Sequence, residues 1–533
     1  MRPMIFRTMP LFLCLAVVGC GGQSELEATT REPDGGVVAP VRDGGPERID
    51  TGSADAGRDP SDAGVHDVAD AGLPRPTGEL APFLPVADTA EGLTNTGPDL
   101  AAVLEHGALS RACDGWRAAP GDRRKKLLCG KSMFFYEGFG TTGVPRPLIT
   151  WLLTHFDSEV GPGFSRLGMV ADPGSTERLP LGLAPGARLG TTETLAFTCA
   201  SCHFGRLPDG RYAVGAPNHD FDYARMNLII ALLPQTQMPG WSDAAHDANA
   251  LAKLEPLRTM LANDLGKRLA LFSSLAPLAL SGSAVPPFSK DNEGAYAQWR
   301  TGTMDFFIQP LPFDDHVVTV SKISALWGIP SSAELAAQGI NGQMLGWTGG
   351  TASVANFLHS FVELGGGNPT HWPASALEPL DEYLASLRAP TAVPAPAPSE
   401  LVAGEDSFRT NCLSCHGGPR GMGARVYSYA EIGTDAAMQW WADGPDHDGA
   451  PLPPIVFPPG DRITNGIKSP RLVGLWAMKR FLHNGSLDTL EQVLCLQPRP
   501  TVTTPALGTA GHSYGCQLQQ SEREALVRYL RAH

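Results

Sequence analysis

Two short stretches of the chain carry the same arrangement of chemistry, Cys199-Ala200-Ser201-Cys202-His203 and Cys412-Leu413-Ser414-Cys415-His416. In each, two thiols three residues apart fall on one helical turn. There they can form thioethers with the two vinyl groups of a haem, while the adjoining histidine reaches the iron as proximal ligand. The spacing predicts two covalently bound c-type haems. A zinc or redox Cys-x-x-Cys is the competing reading. Both histidines directly follow the second cysteine, and the chain opens on an export signal, which weighs against it.

What two such irons do depends on their sixth positions, because a second strong ligand makes an electron carrier and an open position a catalyst. Downstream of His416, the methionines Met422, Met438 and Met478 are candidates by position, and each reads equally well as core packing. For His203 the candidates are His155, Met169, His219 and Met238, on residue type alone, and a structural role is the simpler reading of each. His219 is followed by Asp220, a pair suited to proton transfer or merely to a turn.

The elements that must position these motifs read mainly as helix. Leu380, Tyr383, Leu384 and Leu387 repeat at helical intervals, a helical stretch around Leu401 to Thr410 leads into Cys412, and Ser521 with Glu524 forms a capping-box pattern over a helix to Ala532. Strand signals are scattered and short. The expected fold is mainly α, with two c-type cytochrome-like haem domains, long irregular loops and few short strands. Residues 82–389 form the first domain, the Ala/Pro-rich 390–399 a stiff linker, and 400–533 the second domain.

Length and charge agree with that division. A chain of 533 residues exceeds a single core. Its formal charge of −14 and its 41 scattered Lys and Arg residues offer no basic stripe to a nucleic acid. At the N-terminus, Arg2 and Arg7 lie in or beside a short basic segment followed by an apolar stretch from Leu11 to Val18, too short to span a bilayer, and Val17-Val18-Gly19-Cys20 resembles a bacterial lipoprotein box. Residues 1–19 are then a signal peptide and Cys20 the lipidated first residue; an ordinary secretory signal is the alternative. Residues 20–81, acidic and without an aromatic residue up to about Leu80, form a disordered tether. The membrane is engaged through the lipid anchor only. Gly21 favours the outer membrane, so the expected location is the cell envelope, facing the periplasm or exposed at the surface. Of the ten cysteines, Cys113, Cys129, Cys495 and Cys516 remain, and the shortest loops pair Cys113 with Cys129 and Cys495 with Cys516.

The stretch Gly466-Ile467-Lys468-Ser469-Pro470-Arg471-Leu472, continuing through Trp476 to Phe481-Leu482-His483-Asn484-Gly485-Ser486 and Thr489-Leu490, resembles the C-terminal part of di-haem cytochrome c peroxidases. That family places a ligating methionine four residues before the proline, where this chain has Gly466. Ala510-Gly511-His512-Ser513-Tyr514-Gly515 is similar to the rubber oxygenase branch of the superfamily, which implies His512 as the distal ligand of the His416 haem. A surface-loop role for His512 is the alternative, with Met478 then the substitute ligand. The same branch implies an open distal face at His203 and a tryptophan between the haems, matched by Trp327, which a buried core tryptophan explains equally well. Trp347 resembles a family Trp-x-Gly element of unassigned role. His483 reads as positioning a loop or a haem propionate. The resemblance spans roughly residues 125 to 533.

The expected activity is that of a haem oxidoreductase, with the His203 haem activating an oxygen species and the His416 haem relaying electrons. Reduction of hydrogen peroxide, drawing on a small electron-donor protein, is the leading reading. Dioxygen-dependent cleavage of carbon-carbon double bonds is the close competitor, and a non-catalytic di-haem electron carrier the third.

Overall fold

A computed structural model describes residues 92–281, 290–305, 320–364, 366–392, 397–423, 425–434, 459–461, 464, 466–502 and 507–533. The signal segment, Cys20, the 20–81 tether and Met438 lie outside the described residues. What is described is mainly helical, with short strands in sheets of two or three. No described helix is long and apolar enough to cross a membrane.

Two helix pairs organise the molecule, and each is drawn together by a glycine. The helix Arg123–Tyr136 starts where Asp122 accepts a hydrogen bond from the Lys125 amide at 3.1 Å. It crosses Ala374–Ser386 so closely that a Cβ at Gly130 would lie 2.1 Å from the Pro379 carbonyl oxygen. Leu380, Tyr383, Leu384 and Leu387 point into that contact as their period predicts, and the Tyr383 hydroxyl donates to Asn95 at 2.7 Å. The second pair is Val402–Asn411 with Gln520–Arg531, where a Cβ at Gly404 would lie 2.3 Å from the Ala525 carbonyl oxygen. This crossing matters for chemistry because Val402–Asn411 ends on Cys412.

The last helix begins slightly earlier than the sequence pattern suggests. Its capping box is Gln519 with Glu522, whose carboxylate accepts from the Gln519 amide at 2.9 Å; Glu524 instead takes a hydrogen bond from Gln520 at 2.8 Å. Two glutamates stand within capping reach of polar residues, and the one nearer the chain's entry wins. Leu526, Tyr529 and Leu530 are buried as expected.

Among the described residues the three largest apolar cores follow from these elements. One surrounds the helices Arg146–His155 and Tyr223–Gln235, the second joins Arg123–Tyr136 and Ala374–Ser386 to Trp327, and the third packs Phe408, Phe481, Leu490 and Leu526. The described residues on both sides of the Ala/Pro-rich segment belong to one compact unit. The start of that segment is held to the body, since the Pro390 carbonyl accepts from the Trp476 indole at 2.9 Å and the Thr391 carbonyl from Arg211 at 2.9 Å. Disulfides join Cys113 to Cys129 and Cys495 to Cys516, and Cys199, Cys202, Cys412 and Cys415 are unbridged.

Substituting Gly404→Ala should cost about 1–3 kcal/mol through overpacking, read as a lower urea midpoint. Gly115→Ala, in the helix Ala112–Ala118 with nothing within 4 Å of the added methyl, should be neutral or stabilise by up to about 1 kcal/mol.

Candidate functional site

Each motif is held by its backbone before its side chains are considered. Thr198 caps the short helix Cys199–His203, accepting from the Ala200 amide at 3.3 Å and donating to the Phe135 carbonyl at 3.1 Å. The Gly215 amide donates to the His203 carbonyl at 2.8 Å and the Asn218 amide to the Cys202 carbonyl at 2.8 Å. In the second motif, the Cys412 carbonyl accepts from both the Cys415 and His416 amides, at 3.1 and 2.9 Å.

The two histidines are then oriented identically. His203 Nδ1 donates to the Ser324 carbonyl at 2.9 Å, and His416 Nδ1 donates to the Gly421 carbonyl at 2.7 Å. A carbonyl only accepts, so Nδ1 carries the proton and Nε2 keeps its lone pair, the tautomer of a metal-binding histidine fixed by an outer hydrogen bond. Desolvation holds both imidazoles down to about 4, with the neighbouring His512 a further cause at His416, so both are neutral near pH 7. The thiols move the other way. Desolvation raises Cys199 and Cys202 to about 12 and Cys412 to about 11, so these thiols stay protonated near pH 7, unlike a reactive thiolate pair. Among the described residues no three His, Cys, Asp or Glu side chains are grouped as around a bare metal ion.

Both motifs open on one apolar cavity of about 520 Å³ that receives Cys199, His203, Cys412, Cys415, His416 and His512. Cys202 stands behind it, buried in the first core. Across the cavity the His416 and His512 rings lie 6.4 Å apart between centroids, at an interplanar angle of 63°. Imidazole nitrogen is a strong ligand of haem iron, and both rings line the same cavity. By residue type and placement, His416 and His512 are the residues that would hold a haem iron beside Cys412 and Cys415. Among the described residues His203 has no imidazole partner of this kind.

His512 is placed by a device that sequence reading missed. Its backbone sits at φ +49°, in the left-handed region that costs a non-glycine residue about 1–3 kcal/mol. Arg499 offsets this, its guanidinium donating to the carbonyls of Gln492, Val493, Thr509, Gly511 and His512 at 2.6–3.0 Å. The His512 amide donates to the Ile432 carbonyl at 3.1 Å, the Tyr514 hydroxyl to the Glu431 carbonyl at 2.8 Å, and Cys516 is tied to Cys495. Gly466 also finds its explanation here: a Cβ on it would meet the Tyr427 carbonyl oxygen at 2.1 Å, so no methionine fits.

The other candidates separate. Met478 lines the cavity, as does Met304, a residue outside every motif. Met422 is instead packed against Leu335, Ile340 and Met344, and Met169 lies in the first core. His155 lines a different, surface groove beside Trp151, and Met238 is a half-buried turn residue. His219 is buried away from the cavity, its Nε2 accepting from the Lys479 amide at 3.1 Å; desolvation and nearby Lys322, Arg480 and Lys479 push it down to about 3. Trp327 is fully buried behind the cavity wall, its indole donating to the Val214 carbonyl at 2.7 Å and its ring wedged between Gly215 and Gly474. His483 and Trp347 line the cavity.

No family model and no curated protein matches this chain. Among solved structures it is similar to a hydrazine synthase of Kuenenia stuttgartiensis pressurized with 20 bar xenon, at 18% identity over 45% of this chain and 79% of that one, with a TM-score of 0.26. A likeness that slight carries no argument.

The cavity also takes in the basic side chains of Lys322, which lies in no motif, and of Lys468 and Arg471 from the stretch Gly466–Leu472. Desolvation lowers Lys322 to about 8, Lys468 to about 7 and Arg471 to about 10. Only their placement among apolar neighbours hints at this, a weak signal because lysines mostly mark surface.

Replacing Arg499 by Ala should speed amide hydrogen exchange across 507–516 by about ten- to a hundredfold, the worth of one charge-assisted hydrogen bond. Exchange in Val402–Asn411 should stay slow. Arg499→Lys should behave like the alanine variant, since an ammonium cannot serve five carbonyls at once.

Proposed function

We propose that this chain is a di-haem c-type oxidoreductase whose activity is reduction of hydrogen peroxide by an external electron donor. The observation that carries the reading is the 6.4 Å separation of the His416 and His512 rings across the cavity that both Cys-x-x-Cys-His motifs share. Haem held by Cys199, Cys202 and His203 would supply an iron able to activate an oxygen species, and haem held by Cys412, Cys415, His416 and His512 one that relays single electrons.

The chain's own residues make the two positions unequal. Ser324 and Gly421 fix the proximal imidazoles in the same tautomer. Arg499 and the Cys495–Cys516 bridge hold His512 opposite His416, which suits a closed, electron-relaying centre. His203 lacks such a partner among the described residues, which suits an open one. Peroxide reduction consumes two electrons and two protons and yields two waters, so a small electron-donor protein must deliver electrons one at a time. Trp327, donating to Val214 and wedged against Gly215, whose amide holds the His203 carbonyl, stiffens the wall behind that open position.

A second reading rests on the apolar lining. Val354, Phe357, Leu358 and Phe361 present one face of the helix Val354–Leu364 to the cavity, and Phe357 is 42% exposed. Such a wall accommodates an apolar substrate, as double-bond cleavage by dioxygen requires. The lipoprotein signal proposed for residues 1–19 would put either activity in the cell envelope.

Purified protein should carry two covalent haems by mass, and the Cys412→Ala/Cys415→Ala variant one. His512→Ala should turn one low-spin haem high-spin; an unchanged spectrum would remove His512 from the site. Peroxide loss with a reduced small cytochrome, and no carbonyl-ended products from a polyisoprene emulsion under air, selects the peroxidase reading; the reverse pattern selects the oxygenase.

A further inference from the structure

Each motif histidine leans on a backbone segment that also delivers a lysine to the cavity. Lys322 ends the strand Val320–Lys322, two residues before the Ser324 carbonyl that holds His203. Lys468 ends the strand Ile467–Lys468, and the following Pro470 carbonyl is turned to His416. Trp347 connects the two lysines. The Lys468 amide donates to its carbonyl at 3.0 Å, and the Lys322 ammonium sits 5.3 Å above its ring.

Neither lysine has a carboxylate partner among the described residues. Lys322 Nζ donates only to the Arg480 carbonyl, at 3.3 Å, and lies 5.6 Å from the Phe481 ring. Lys468 is 6% exposed, and its ammonium makes no hydrogen bond or ion pair with a described residue. The acid on the cavity wall, Asp461, is already used, accepting from the Ala352 amide at 2.8 Å and from Asn356 at 2.7 Å. Arg471 adds a third cation, though it spends its guanidinium on the Trp327 and Ala325 carbonyls. Lysine is rarely buried unless paired, and a charge left alone in apolar surroundings is costly. A carboxylate beside each ammonium would relieve that cost, and each haem brings a pair of carboxylates.

We propose that Lys322 receives a carboxylate of the haem at His203 and Lys468 a carboxylate of the haem at His416, with Trp347 holding both lysines on one wall. This rests on the di-haem reading above. An ammonium beside a haem stabilises the reduced, less positive iron, so removing it lowers that haem's midpoint potential and leaves the other nearly unchanged.

The test is a redox titration of the loaded full-length protein, with the two haems told apart by their spectra and counted after alkaline pyridine treatment. Lys468→Met should lower the low-spin haem's midpoint by about tenfold in equilibrium constant, about 59 mV for one electron. Lys322→Met should do the same to the other haem. Lys468→Arg should restore the wild-type value, and Lys468→Gln gives the same reading as Met if the methionine variant does not fold. Midpoints unmoved by either substitution, or both haems moved equally by each, would overturn the assignment while two haems are still counted. Wild-type protein without covalent haem would overturn the di-haem reading itself.

Discussion

An imidazole sunk into a protein must settle both of its nitrogens, and in this chain both motif histidines settle the same one in the same way. Nδ1–H goes to a backbone carbonyl, Ser324 for His203 and Gly421 for His416. That choice fixes the tautomer, aims Nε2 away from the wall and obliges two distant backbone segments to stay where they are. The strand pairing Val320–Lys322 with Thr303–Asp305 holds the first segment. The tight turn around Gly421, closed by the Gly418 amide on the Met422 carbonyl at 2.9 Å, holds the second.

The rest of the site is built outward from that constraint. The Gly404 crossing sets the helix that ends on Cys412 against the last helix, and the loop before that last helix carries His512. Arg499 gathers the carbonyls of the same loop, which lets a non-glycine residue hold a left-handed conformation facing His416. Packing, a disulfide and a five-pronged guanidinium thus converge on one imidazole. Such convergence fixes where that imidazole stands in the cavity wall.

What could be read from the sequence was local. The two motifs are legible because their chemistry needs a fixed spacing, and the helix Ala374–Ser386 because Leu380, Tyr383 and Leu384 repeat at its period. Helix ends were less legible: Glu522 and Glu524 both stand near capping residues, and only geometry shows that Glu522 closes the box. Met422 and Met478 look alike in sequence, yet one is buried beside Met344 and the other lines the cavity. The facing of His416 and His512, the reach of Arg499 and the cluster of Lys322, Lys468 and Arg471 all depend on contacts distant along the chain. Periodicity carries no record of these, and a lysine in a list of residues looks like solvent-facing charge until its neighbours are known.

A single apolar chamber receiving both motifs has a consequence for how they behave together. Coulomb interactions fade slowly through poorly polarisable surroundings and are little screened by salt there. A charge added at the His203 end raises the work of adding another at the His416 end, with no movement of the chain required. Under the proposed di-haem reading the two ends would be coupled capacitively, and the order in which they fill would be set by the walls as much as by the ligands.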